Sequence, residues 1–244
     1  MVGTGRDLEV RVEPCTKRLR AYLGGIVVFD TVAARMVWEV PYYPQYYVPR
    51  ADVRVKLEPT GHRKPSRQRG DGVLWNVVAG DYEAVDAAAT YDDSPVEELH
   101  GLVWLRWDAM DAWFEEDEEV FTHPRSPYRR VDILPTSRHV RVETRDAVLA
   151  ESTSAHVLFE TGLPPRFYLP KVDVRMDLLE PSDTVTHCPH KGETRYWSLL
   201  LDGHEIDDVA WSYPYPLPES TRIAGLVSFE SKKVDVVVDG VRQD

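Results

Sequence analysis

The sequence repeats itself. Tyr46-Tyr47-Val48-Pro49-Arg50-Ala51-Asp52-Val53-Arg54 returns as Phe167-Tyr168-Leu169-Pro170-Lys171-Val172-Asp173-Val174-Arg175, with Pro49 and Pro170 separated by 121 positions. The same offset sets Asp30-Thr31 against Glu151-Ser152 and Trp38-Glu39 against Phe159-Glu160. An offset of 122 then pairs Leu57-Glu58-Pro59 with Leu179-Glu180-Pro181 and Trp75 with Trp197; farther on, Gly101-Leu102-Val103 meets Gly225-Leu226-Val227. A nearly constant offset through aromatic, acidic and glycine positions means one backbone frame used twice. The 244 residues therefore read as a tandem duplication, each copy about a hundred residues and able to close one modest core.

Composition places the boundary. The acidic run Glu115-Glu116-Asp117-Glu118-Glu119 closes copy one and reads as a solvated face. Thr122-His123-Pro124-Arg125-Ser126-Pro127-Tyr128, with two prolines and little to bury, reads as linker. The expected limits are residues 16–119 for the first domain, 120–135 for the linker and 136–241 for the second domain.

Strand signals dominate both copies. Arg138–Glu143 alternates with period two, placing Val140 and Val142 on one face. Tyr196–Leu201, then Asp202-Gly203 and a return through His204–Ile206, is hairpin chemistry. Val234–Val238 is β-branched and stops at Asp239-Gly240. Helix signals are weak: Ser152-Thr153-Ser154 is a candidate cap for one short helix, and no window keeps an apolar stripe for three turns. The predicted class is mainly β.

Charge and patterning exclude several functions. Twenty-nine basic against 41 acidic side chains give a net charge of −12, which repels phosphate backbones and argues against nucleic acid. The first twenty residues are charged throughout, and apolar runs such as Ile26–Phe29 are too short for a bilayer, so no membrane partner is expected. Cys15 and Cys188 make no disulfide framework, which suits a cytoplasmic protein. No phosphate loop, dinucleotide fingerprint or Gly-x-Ser-x-Gly elbow is present, and no cofactor is expected.

Reactive groups concentrate in Thr186-His187-Cys188-Pro189-His190-Lys191-Gly192. A thiol beside imidazoles and an ammonium is a setting that favours thiolate. The opposite reading has equal weight: Cys188 as a small buried hydrophobe. Zinc is disfavoured, because neighbours on a strand face opposite ways and no second ligand pair exists. Asp173 and Arg175 would share a face if extended, as an ion pair or a solvated pair. The Trp211-Ser212-Tyr213-Pro214-Tyr215-Pro216 stretch and the Tyr42–Tyr47 cluster suit either a pocket wall or a packed core.

Tyr168–Met176, Leu179-Glu180-Pro181-Ser182, His187–Gly192, Tyr196-Trp197-Ser198 and Ala210-Trp211-Ser212-Tyr213-Pro214 together resemble the bacterial family called domain of unknown function 427, DUF427, also labelled NTP_transf_9. Copy one resembles it more loosely. The resemblance implies two tandem β-tent-like domains, similar to methionine-sulfoxide reductase B and the cereblon ligand-binding domain. Those proteins carry zinc on two Cys-x-x-Cys pairs, both missing here, so no metal is carried over. The family's nucleotidyltransferase label meets no triphosphate-binding motif in this chain. Its Cys-Pro-x-Lys-Gly pattern falls on Cys188, Pro189, Lys191 and Gly192, whereas copy one has a basic, cysteine-free Gly61–Gly70 stretch.

These observations lead to an expected small-molecule pocket in copy two. As an enzyme, it would use Cys188 as nucleophile or redox thiol, Lys191 to hold an anion or activate the thiol, and Glu180 with Tyr213 for proton transfer. Arg175, His190, Trp197, Trp211 and Tyr213 would bind the ligand. The alternative is a non-catalytic ligand-binding or protein-interaction module in which Cys188 only packs. A third reading is an intramolecular pseudo-dimer that acts through protein partners.

Overall fold

The computed structural model describes residues 10–40, 43–144, 147–201 and 203–243. Tyr42 and Asp202, used above, lie outside the described residues. The chain is mainly β and divides into two compact units, up to Ser126 and from Pro127 onward. Among the described residues, no helix is long and apolar enough to cross a membrane.

Strand register shows the duplication residue by residue. In the first unit Arg11–Pro14 pairs antiparallel with Arg35–Trp38, which pairs with Gln45–Pro49. In the second, Val131–Pro135 pairs with His156–Glu160, which pairs with Arg166–Tyr168. Val12 faces Val37 as Ile133 faces Leu158, and Met36 faces Tyr46 as Val157 faces Phe167, all at an offset of 121. The repeated frame thus already begins at Arg11 and Asp132, ahead of residues 16 and 136, and a strand occupies the end of the expected linker.

A meander follows in each unit. Lys56–Lys64, Gly72–Ala79 and Tyr82–Thr90 lead to Leu102–Leu105; Leu179–Cys188, Gly192–Leu201 and His204–Ser212 lead to Val227–Phe229. Bulges recur at matching places, between Pro59 and Arg63 as between Pro181 and Val185, and between Trp75 and Val77 as between Trp197 and Leu199. Across the second bulge, Asp86 and Asp208 adopt left-handed backbone at φ 49° and 46°. Their N–H groups donate to Asn76 Oδ1 (3.0 Å) and Ser198 Oγ (3.1 Å). Bulges of this kind re-aim side chains, and both aspartates turn toward the same side of their meander.

Alternation along the strands builds the cores. Val140 and Val142 are fully buried and pack with Leu149, Phe167, Leu199 and Val209 in the second unit. Leu19, Ala21, Phe29, Val77 and Trp113 fill the equivalent space in the first. Asp239-Gly240, both at positive φ (50° and 80°), closes the hairpin between Asp235–Val238 and Val241–Arg242; a two-residue loop of this twist needs that backbone.

Three local expectations change. Ser152-Thr153-Ser154 caps no helix: Ser152 ends the strand Val148–Ser152, and its Oγ accepts from the Ser154 N–H (3.0 Å). Lys171–Asp173 is a short 3-10 turn rather than a strand, so Asp173 and Arg175 part company. Asp173 accepts from Ser152 Oγ (2.6 Å), while Arg175 pairs with Asp177 (2.7 Å). Finally, Glu115 is buried at 8% exposure, held by Lys17 and by the Tyr46 hydroxyl (2.7 Å), so the acidic run is not simply solvated.

The hydroxyl-to-aspartate link recurs in the first unit, where Thr31 Oγ1 donates to Asp52 at 2.6 Å. Each link ties a strand end to the short turn after the aromatic strand. Asp173→Ala and Asp52→Ala are expected to lower unfolding free energy by about 2 kcal/mol each, the value of a hydrogen bond to a charged group. Urea denaturation checks this, and a loss under ~0.5 kcal/mol at both sites would contradict it.

Candidate functional site

The second unit opens a cleft of about 470 Å³ beside its meander. Cavities of this size are in the usual range for small-molecule sites. The aromatic wall is Tyr168, Tyr196, Trp211 and Tyr213; the charged lining is Glu160, Arg166, Lys191, Asp208, Glu230 and Lys233. Trp211 stands on the strand His204–Ser212, opposite Ser228 on one side and Tyr196 on the other.

The cleft floor is an ion pair. Glu160 ends the strand His156–Glu160 with 9% exposure, and Lys191, also 9% exposed, donates to its Oε2 from the loop before Gly192. Arg129 donates to the other oxygen at 3.0 Å. Burial pushes the Glu160 carboxyl up, but the Lys191 and Arg129 hydrogen bonds outweigh it and hold the group below its ordinary range. Gly192 takes φ 98°, a conformation that favours glycine and lets the chain turn back after Lys191.

Around the rim the polar groups divide unevenly. Arg166 lies 3.8 Å from Glu230 and places its guanidinium 5.5 Å from the Trp211 ring centre. The Lys233 ammonium donates to the Asp207 carbonyl at 2.8 Å. Thr184 Oγ1 donates to Asp208 Oδ2 (2.9 Å), whereas Asp208 Oδ1 is buried and has no hydrogen-bond partner among the described residues. Tyr213 is buried beside Tyr168, 6.5 Å between ring centres, and burial raises both phenols well above their ordinary pKa.

Of the residues singled out from sequence, Lys191, Trp211 and Tyr213 come together at this cleft. Cys188 does not line it. The thiol is half-buried against Ile133, Leu158, Tyr168, Tyr213 and Ile223. His190 is buried under the loop, its Nδ1 3.2 Å from Glu219, and burial lowers its pKa against the pull of that carboxylate. Glu180 is exposed on the strand Leu179–Cys188, and Arg175 is exposed with Asp177. Trp197 packs on the core with the Lys171 ammonium 5.0 Å from its ring centre. Among the described residues, no group of three His, Cys, Asp or Glu is placed to hold a metal. Sequence reasoning did not assign Glu160, Arg166, Asp208 or Thr184 to the pocket, and it named Thr186 only as the start of the reactive loop. Glu160 alone carried a signal, as the repeated partner of Glu39.

The first unit has the same floor with different fittings. Arg69, 5% exposed and just before Gly70, pairs with Glu39 at 2.7 Å, and Tyr47 donates to that carboxylate at 3.0 Å. Ser66 stands 122 positions before Cys188, and its Oγ accepts from the Arg69 N–H at 3.2 Å. Above the floor, Lys64 sets its ammonium 3.1 Å from the centre of the Trp104 ring, and Trp104 is 9% exposed. Trp104 lies opposite Ala89, so this cross-strand pair exchanges its large and small members relative to Trp211 and Ser228.

Burial pulls Lys64 down to about 8, with Glu39 opposing and Arg69 and Arg106 assisting. The folded chain releases this proton before the unfolded one, so the burial penalty stands below pH 8 and is relieved as pH rises toward 10.5. Reductive ¹³C-dimethylation followed by NMR titration should find one lysine with a midpoint near 8 that is missing in Lys64→Met. All lysines titrating together near 10.5 would contradict the burial.

Comparison with known proteins agrees with the repeated geometry. No curated protein matches the chain. A family model described as domain of unknown function (DUF427), NTP_transf_9, matches twice, over residues 11–116 and 132–240. Those segments begin at the first paired strand of each unit and together cover most of the sequence. The chain belongs to the DUF427 family, as a tandem pair of its domains.

Proposed function

We propose that the second unit is a binding module for a small molecule, which sits in the cleft above Glu160 and Lys191 against Trp211. The observation that carries this reading is the lining itself: an indole and three phenols surround a fixed ion pair in a cavity of about 470 Å³. Apolar walls with a few oriented polar groups give both affinity and selectivity. Cys188 has a packing role here, because its neighbours are core side chains and its counterpart Ser66 caps the loop. Lys191 positions the floor rather than activating a thiol, since its ammonium is committed to Glu160. A net charge of −12 and two free cysteines suit a cytoplasmic protein with a small-molecule partner rather than nucleic acid.

A ligand-observed NMR screen of one-ring aromatic fragments, cationic, neutral and anionic, tests the reading. Hits should weaken by about tenfold or more in Trp211→Ala, equivalent to ~1.4 kcal/mol, and stay unchanged in Cys188→Ser. Hits indifferent to Trp211→Ala, or abolished by Cys188→Ser, would contradict it.

A further inference from the structure

The two copies differ at the cleft in a consistent direction. Two positions along the outer meander strand carry His62 and Lys64 in copy one, and Thr184 and Thr186 in copy two. Register fixes the correspondence: Lys64 faces Gly72 as Thr186 faces Thr194, each pair offset by 122. In copy one His62 Nδ1 reaches both oxygens of Asp86, at 3.1 and 2.9 Å, and Lys64 places a cation on the Trp104 ring. In copy two the shorter Thr184 reaches one oxygen of Asp208 and leaves Oδ1 buried without a partner among the described residues. Thr186 is turned to Thr194 and Tyr196, at 2.6 and 2.9 Å, and supplies no cation.

Copy one therefore sets a lysine ammonium on its tryptophan and a histidine on its aspartate, where copy two has two threonines. We propose that the second unit's ligand is a small organic ammonium ion, with its N–H groups on Asp208 and its charge on the aromatic wall at Trp211. This rests on the reading of the cleft as a binding site and names the chemical class it takes. A buried carboxylate oxygen without a donor is costly to leave so, and a charged N–H donor satisfies it. Indole is the aromatic surface that attracts a cation most strongly. Cations already at the cleft leave the Asp208 side chain unpaired: Lys191 is on Glu160, Lys233 on the Asp207 carbonyl, and Arg166 near Glu230 with its guanidinium 5.5 Å from the Trp211 ring centre, so the ligand ammonium shares that ring with Arg166.

Benzylamine, benzyl alcohol and benzoate are matched probes for calorimetric titration of the full chain. Benzylamine should bind at least about tenfold tighter than the other two. Asp208→Asn, which keeps a residue tolerant of left-handed backbone, should bring benzylamine to the level of the alcohol. Thr186→Lys should abolish benzylamine binding by supplying a tethered ammonium, with the thermal midpoint of the chain retained. Alcohol or benzoate binding as tightly as benzylamine, or benzylamine indifferent to both substitutions, would overturn the ammonium assignment. If neutral or anionic fragments bind and respond to Trp211→Ala, the cleft reading survives that failure. If no fragment of any charge binds, both fall together.

Discussion

A buried base just before a left-handed glycine, paired with a carboxylate, anchors each copy of this chain. Glu39 holds Arg69 and Glu160 holds Lys191, and Gly70 and Gly192 follow at φ 77° and 98°. The pair fastens the loop between the first two meander strands to the end of a strand far earlier in sequence. Removing one partner leaves an uncompensated buried charge, which is far costlier than losing a surface ion pair. That asymmetry explains why the pair survives in both copies although the base changes from Arg to Lys. It also fixes the cleft floor, since the loop cannot drift while Glu160 retains both Lys191 and Arg129.

Above the floor the copies diverge by exchanges that preserve volume in one and release it in the other. Lys64 lies over Trp104 in the first unit, while Ser228 and Thr186 stand at the matching places of the second. Trp211 enters from the adjacent strand where copy one has Ala89, so copy two keeps an aromatic wall without the plug. The bulged aspartates are the shared element. Asp86 accepts from His62, and Asp208, one of the cleft-lining residues, keeps a buried oxygen without a partner among the described residues. A duplicated frame thus carries a lysine packed on its tryptophan in one copy and an open cleft at the matching place in the other.

Much of the fold was legible because duplication is a one-dimensional signal. Offsets of 121 to 124 identified the duplicated frame before any register was known, and alternation at Val140 and Val142 identified the buried face. Short turns were not legible: Lys171–Asp173 looks like strand in sequence and folds as a 3-10 turn because Asp173 reaches back to Ser152. The site was read in part. Lys191, Trp211 and Tyr213 meet at the cleft, but attention fell on the Cys188 loop, whereas nothing in the sequence pointed to Asp208 or Thr186 as lining it. Their importance comes from tertiary placement, from a left-handed bulge in one case and the loss of a lysine in the other. Glu115 was hidden for the same reason, since nothing local to an acidic run tells which carboxylate will meet Tyr46 in the core.

The central claim is that Lys64 is a tethered version of what the second cleft accepts. Chemical rescue tests it most directly. Lys64→Ala should lower the thermal midpoint by vacating the space over Trp104, and propylammonium chloride should restore it where sodium chloride at equal ionic strength does not. The saturating restoration should also vanish when Trp104 is replaced by Leu in the Lys64→Ala background. A Lys64→Ala protein that is unaffected by the loss, or that responds equally to both salts, would contradict the account.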